Sequence, residues 1–107
     1  MRKIESQMNQ AILNRVNWQS SNTSVQIDPE TNNAIVYLHG NKIAEVSRID
    51  FRLFDGGWQS NTTKSRLNAI IDAVGKWGEG VYQKNFTWFF KCCDGSSIPF
   101  VSGMLLE

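Results

Sequence analysis

Ala34-Ile35-Val36-Tyr37-Leu38-His39-Gly40-Asn41-Lys42-Ile43-Ala44 reads as a strand, a tight turn and a second strand. Ile35, Val36 and Tyr37 favour the pleated, half-buried surface of a sheet. Gly40 and Asn41 tolerate positive φ, which suits a hairpin into a strand running from Ile43 to Asp50. Val46 stands out of phase with Ile43, Ile49 and Phe51, so a bulge or an early strand end is expected there. Upstream, Val25 and Ile27 alternate with Ser24, Gln26 and Asp28 until Pro29 stops the run. The segment Asp28-Pro29-Glu30-Thr31-Asn32-Asn33 is a turn cluster. Three strands in this order predict an antiparallel meander with one face on a core.

Helical periodicity flanks the meander on both sides. Ile4, Met8, Ala11, Ile12 and Val16 recur at spacings of three and four, which predicts a helix from Lys3 to about Asn17. Trp18 is then placed to fold back over its last turn. Beyond the break at Asp55-Gly56-Gly57, Leu67, Ile70, Ile71 and Val74 form the stripe of a second helix, about Thr63 to Val74. Asn61, Thr62 or Thr63 can cap its start, and Gly75 ends it. Val81 to Cys93 reads as one strand with Phe86, Trp88 and Phe90 on one face and Thr87, Phe89 and Lys91 on the other. Rings on both faces predict a central strand covered in part on both sides. Asp94-Gly95 turns the chain into a last strand within Ser97 to Val101, which Pro99 confines to an edge. The reading is a single α+β domain over residues 1–107. Its two helices pack on an antiparallel or mixed sheet of about five strands, in the order α-β-β-β-α-β-β.

A chain of 107 residues holds one core and no second one. Eleven Lys and Arg against ten Asp and Glu leave a net charge of +1, so any anionic partner must find a local patch rather than a global field. Neither a signal peptide nor an apolar run long enough to span a bilayer is present, so no membrane role is expected. Cys92 and Cys93 are adjacent, and side chains on opposite faces of a strand do not bridge each other. Two free thiols imply a reducing compartment.

Little here reads as catalysis. His39 is the sole histidine, next to a turn, and no partner in the sequence positions it as a base. The cysteines lack a second pair with metal-ligand spacing. Asp50, Asp55, Asp72 and Asp94 select no carboxylate pair. The glycines match neither GxxxxGK[ST] nor GxGxxG. No enzyme activity, cofactor or metal is therefore expected.

What remains is the segment around the second helix start. Trp58, Thr62, Thr63, Lys64, Ser65 and Arg66 are the candidate binding residues. Their hydroxyls and cations suit a phosphate or a protein surface, and Trp and Arg are frequent interface anchors. Lys64 is expected to cross the apolar edge of the helix, and Arg66 to point more fully to solvent.

Two segments carry a family resemblance: Val36-Tyr37-Leu38-His39-Gly40-Asn41-Lys42-Ile43-Ala44, and Asp55-Gly56-Gly57-Trp58-Gln59-Ser60-Asn61-Thr62-Thr63-Lys64-Ser65-Arg66-Leu67-Asn68-Ala69. They resemble a family of small proteins encoded by tailed bacteriophages and related mobile elements, over roughly residues 22–90. The resemblance implies a protein made in an infected bacterial cell and acting in its cytoplasm. It also implies a host protein or complex as partner, a defence system among the candidates. Binding of nucleic acid or a nucleotide phosphate is the alternative; a small enzyme and a virion component rank below both.

Overall fold

The computed structural model describes residues 1–107. The chain begins with helix α1 (Lys3–Asn14) and strands β1 (Trp18–Ser20), β2 (Thr23–Ile27), β3 (Ala34–Leu38), β4 (Asn41–Val46) and β5 (Phe51–Leu53). It continues with helix α2 (Asn61–Val74) and strands β6 (Gly80–Lys84), β7 (Thr87–Lys91), β8 (Ser97–Pro99) and β9 (Met104–Leu106). The α+β class holds, with two helices against antiparallel strands. Nine strands in two sheets replace the expected five in one: β1-β2-β3-β4-β5-β9 and β6-β7-β8.

In the larger sheet, cross-strand rows supply the core. One row runs Ile27, Ala34, Val46, Phe51, Leu106, and the next runs Val25, Val36, Ala44, Leu53. The register of β3 on β4 slips between Val36 and Tyr37, so that Ile43 is the extra residue of a bulge. Ile43 and Ala44 are consequently both buried, and Val46 returns in phase with Ala44. The turn of this hairpin is His39-Gly40, at φ 52° and 78°, one residue earlier than Gly40-Asn41.

Each departure from the expected elements has a local cause. Helix α1 stops at Asn14 because Arg15 takes φ 55° and its guanidinium bonds the carbonyls of Ile12, Asn32 and Ser47. That staple fixes the helix end, and Trp18 pairs with Val25 in the sheet while lying beside Ala11 and Asn14 of α1. The expected strand to Asp50 divides because Ser47 accepts from the amides of Ile49 and Asp50, turning the chain into β5. Val81 to Cys93 is a hairpin, with Asn85 and Phe86 at φ 51° and 65° forming its two-residue turn. Trp88 and Phe90 do reach the core, where Trp88 meets Phe100 edge-on at 5.4 Å. Phe86 does not join them. It sits at the turn, and the sheet is covered on one face only. Pro99 lies on an edge strand, in accord with its missing amide.

The smaller sheet is joined to the body through α2. Asn68 donates to the Val81 carbonyl at 2.9 Å and accepts from the Val81 amide at 2.7 Å. Its side-chain amide thus pairs with the outer edge of β6 as a neighbouring strand would.

Candidate functional site

The loop between β5 and α2 is built residue by residue. Asp55 Oδ1 accepts from the Gly57 amide at 2.8 Å, and the Asp55 amide donates to Ser102 Oγ at 3.1 Å. Gly56 has φ +69°, and a Cβ there would stand 3.3 Å from Asn41 Cβ and Ile43 Cγ2. Glycine lets the loop lie directly against β4 at this point. Gly57 follows at φ +85° and throws the next residue outward.

That residue is Trp58, 75% exposed. Its backbone is nonetheless held: the carbonyl accepts from the Ser60 amide at 3.0 Å and from Thr63 Oγ1 at 3.3 Å. Ser60 is the N-cap of α2, accepting from the Thr63 amide at 3.0 Å. The cap therefore falls one residue before the three residues expected for it. Beside Trp58 lies a cleft of about 300 Å³ lined by Leu38, His39, Asn41, Ile43, Asp55, Gly56, Ser60, Thr62 and Thr63.

The candidate residues divide between two sides of α2. Trp58, Thr62 and Thr63 line the cleft, although Thr63 is buried and its hydroxyl is used within the loop. Lys64 is half-buried outside the lining. Ser65 and Arg66 turn toward α1. Arg66 is 4% exposed, which corrects its expected solvent position. Its guanidinium donates to Glu5 Oε2 at 2.8 Å, Thr23 Oγ1 at 3.0 Å and Asn22 Oδ1 at 3.3 Å. Ser65 Oγ donates to the same Glu5 oxygen at 2.7 Å. A guanidinium sealed in this way serves the fold.

His39, Asn41 and Asp55 line the cleft without having been singled out for binding. Asp55 belongs to the loop that carries Trp58, whereas only the packing of the β3–β4 turn against the start of α2 brings His39 and Asn41 there. Asn22 links the two sides, accepting from the His39 amide through its carbonyl at 2.8 Å and from Arg66 through its side chain. Glu45, away from the cleft, is held below the usual carboxylate range by its hydrogen bonds from Lys42 and then Asn33. Cys92 and Cys93 are free thiols, the first half-buried and the second exposed. No helix is long and apolar enough to cross a membrane.

The chain belongs to the Kyanoviridae Gp96 protein family, whose family model matches residues 1–107. That membership sets it among small phage-encoded proteins. No curated protein and no solved structure matches the chain.

Proposed function

We propose that this Kyanoviridae Gp96 family member is a non-enzymatic binding protein that docks on a protein or complex of the infected bacterial cell, with Trp58 as its anchor. One observation carries the reading: a bare indole on a loop whose backbone is already fixed. Ordering a loop costs binding free energy, and a loop ordered in advance avoids that cost. Trp is also the residue type most enriched among interface hot spots. The cleft beside it offers Thr62, His39 and Asn41 as polar contacts around a central ring. A defence complex is one candidate partner, and the host cytoplasm is the compartment in which the encounter would take place.

The test is capture from host lysate with wild type and Trp58→Ala side by side. Wild type should retain a stoichiometric partner, and Trp58→Ala should weaken it by about 2 kcal/mol or more, roughly thirtyfold. The exposed ring contributes little to the fold, so the melting midpoint should stay within the shift of about 0.5 kcal/mol usual for surface changes. A partner held equally by both proteins, or no partner at all, sinks the proposal.

A further inference from the structure

Alternation along β7 sends Trp88 and Phe90 inward and leaves Thr87, Phe89 and Lys91 on the open face of the smaller sheet. On β6, Tyr82 stands opposite Phe89, and the two rings stack with centroids 5.6 Å apart at 23°. The Tyr82 hydroxyl donates to Ser97 Oγ on β8 at 2.8 Å, which fixes its ring across all three strands. Lys84 lies at the hairpin end of this face. Lys91 pairs with Gly80 at the other end, so roughly 13 Å of strand separates the two cations. The three strands contain no Asp or Glu. The nearest carboxylates in the chain are engaged elsewhere: Glu79 with the Lys76 amide at 2.6 Å, and Asp94 with the Ser96 amide at 2.9 Å. The strands of the smaller sheet thus carry, on one face, aromatic rings and two lysines, with Glu79 and Asp94 just beyond its Gly80–Lys91 end.

The hairpin tip adds a ring that the fold does not use. Phe86 is 93% exposed at φ 65°, in a turn position that favours glycine and disfavours a bulky side chain. It strains the backbone and buries nothing in return. Trp77, 96% exposed, precedes Gly80 at the opposite end, where Gly78 approaches Cys93. An exposed ring therefore stands at the hairpin tip beside Lys84, and the Tyr82–Phe89 pair lies between Lys84 and Lys91 along the strands. Stacking platforms interleaved with cations are what an extended strand of nucleotides requires: each base has a π face, and each linkage has a charge. A duplex hides its π faces. An apolar protein partner would gain nothing from the lysines.

We propose that this face, formed by Tyr82, Lys84, Phe86, Phe89 and Lys91, binds single-stranded nucleic acid. Bases stack on Phe86 and on the Tyr82–Phe89 pair, and Lys84 and Lys91 hold phosphates. The surface is separate from the Trp58 cleft, and the test below uses purified components only, so it succeeds or fails independently of the host-protein reading.

The probe is a labelled oligothymidylate of about 12 nucleotides, followed by fluorescence anisotropy at about 50 mM salt, with a duplex of equal length as competitor. The single strand should bind and the duplex should compete poorly. In Lys84→Gln/Lys91→Gln the slope of log affinity against log salt should fall by about 1.4, the share of two phosphate contacts on a single strand. Phe86→Gly should lower affinity roughly fivefold to a hundredfold, one stacked base, while raising the melting temperature by relieving the turn. No binding at low salt overturns the proposal, as does equal binding of the duplex or an unchanged slope in the lysine variant. Sedimentation of the free protein closes the remaining route: if Phe86→Gly dissociates a dimer and leaves oligonucleotide affinity unchanged, the face serves self-association and the proposal is wrong.

Discussion

Arg66 shows most clearly what single residues do in this molecule. A buried guanidinium facing a buried carboxylate survives only because Thr23, Asn22 and Ser65 satisfy the remaining valences. Arg66→Met should therefore cost about 3–5 kcal/mol, because Glu5 is left charged and unpaired in the interior. Glu5→Leu added to Arg66→Met should recover part of that loss, since the buried charge goes with its partner and only the Ser65 hydroxyl loses its acceptor. Denaturant unfolding of the single and double variants reads both numbers, and a single variant as stable as wild type would refute the account. The burial of Arg66 left a trace in the sequence. Thr63, Arg66, Leu67 and Ile70 follow the spacing of three, one and three that marks a helix face, and all four are buried. Charge argued for solvent, and the compensating Glu5 lies 61 residues upstream, where no local pattern connects them. Trp58 was legible as a candidate because the double glycine before it requires a sharp turn. Its company in the cleft, His39 and Asn41, was not.

At the scale of elements, β3, β4, α1 and α2 were readable because each repeats its apolar residues at a period that its length can display. The bulge at Ile43 was foreshadowed by the phase of Val46. The β6–β7 hairpin was missed for a definite reason: Lys84-Asn85-Phe86-Thr87 contains neither glycine nor proline, and Val81 alone is buried on β6, too little to reveal that the phase of burial switches across the turn. β1 and β9 are three-residue strands, too short to show any period. The outer edge of β6 is managed by Asn68, whose amide occupies both backbone groups of Val81. Asn68→Ala leaves a half-buried amide and carbonyl without partners, so a loss of about 1–3 kcal/mol is expected. An open strand edge also invites pairing between chains, and Asn68→Ala should aggregate more readily on heating. Light scattering during a thermal ramp checks this; a variant as soluble and stable as wild type would deny Asn68 its role.

Across the whole molecule, the two sheets differ in how they are held. The larger sheet places its central strands under both helices. The smaller one touches the body through Val81, Trp88, Phe90 and Phe100, and its hairpin tip extends past that contact with Gln83 through Thr87 exposed. Amide hydrogen exchange should accordingly grade from slow in β3 and β4 to fast at Lys84–Thr87, with the tip opening independently of global unfolding. Uniform protection through β7 would contradict that separation. The Glu5–Arg66 pair joins the helices on the same basis of long reach, and it bears on how the chain is made. Glu5 leaves the ribosome 61 residues ahead of its cation, an interval of roughly 3–12 seconds at ordinary elongation rates. During that interval α1 has an acidic group on the face it will bury and no counter-charge to accept it. The pair that offsets burial of that group exists only once the second helix has been synthesised. Until Arg66 is made, covering the helix-facing side of the nascent meander with α1 carries the cost of burying an unpaired carboxylate.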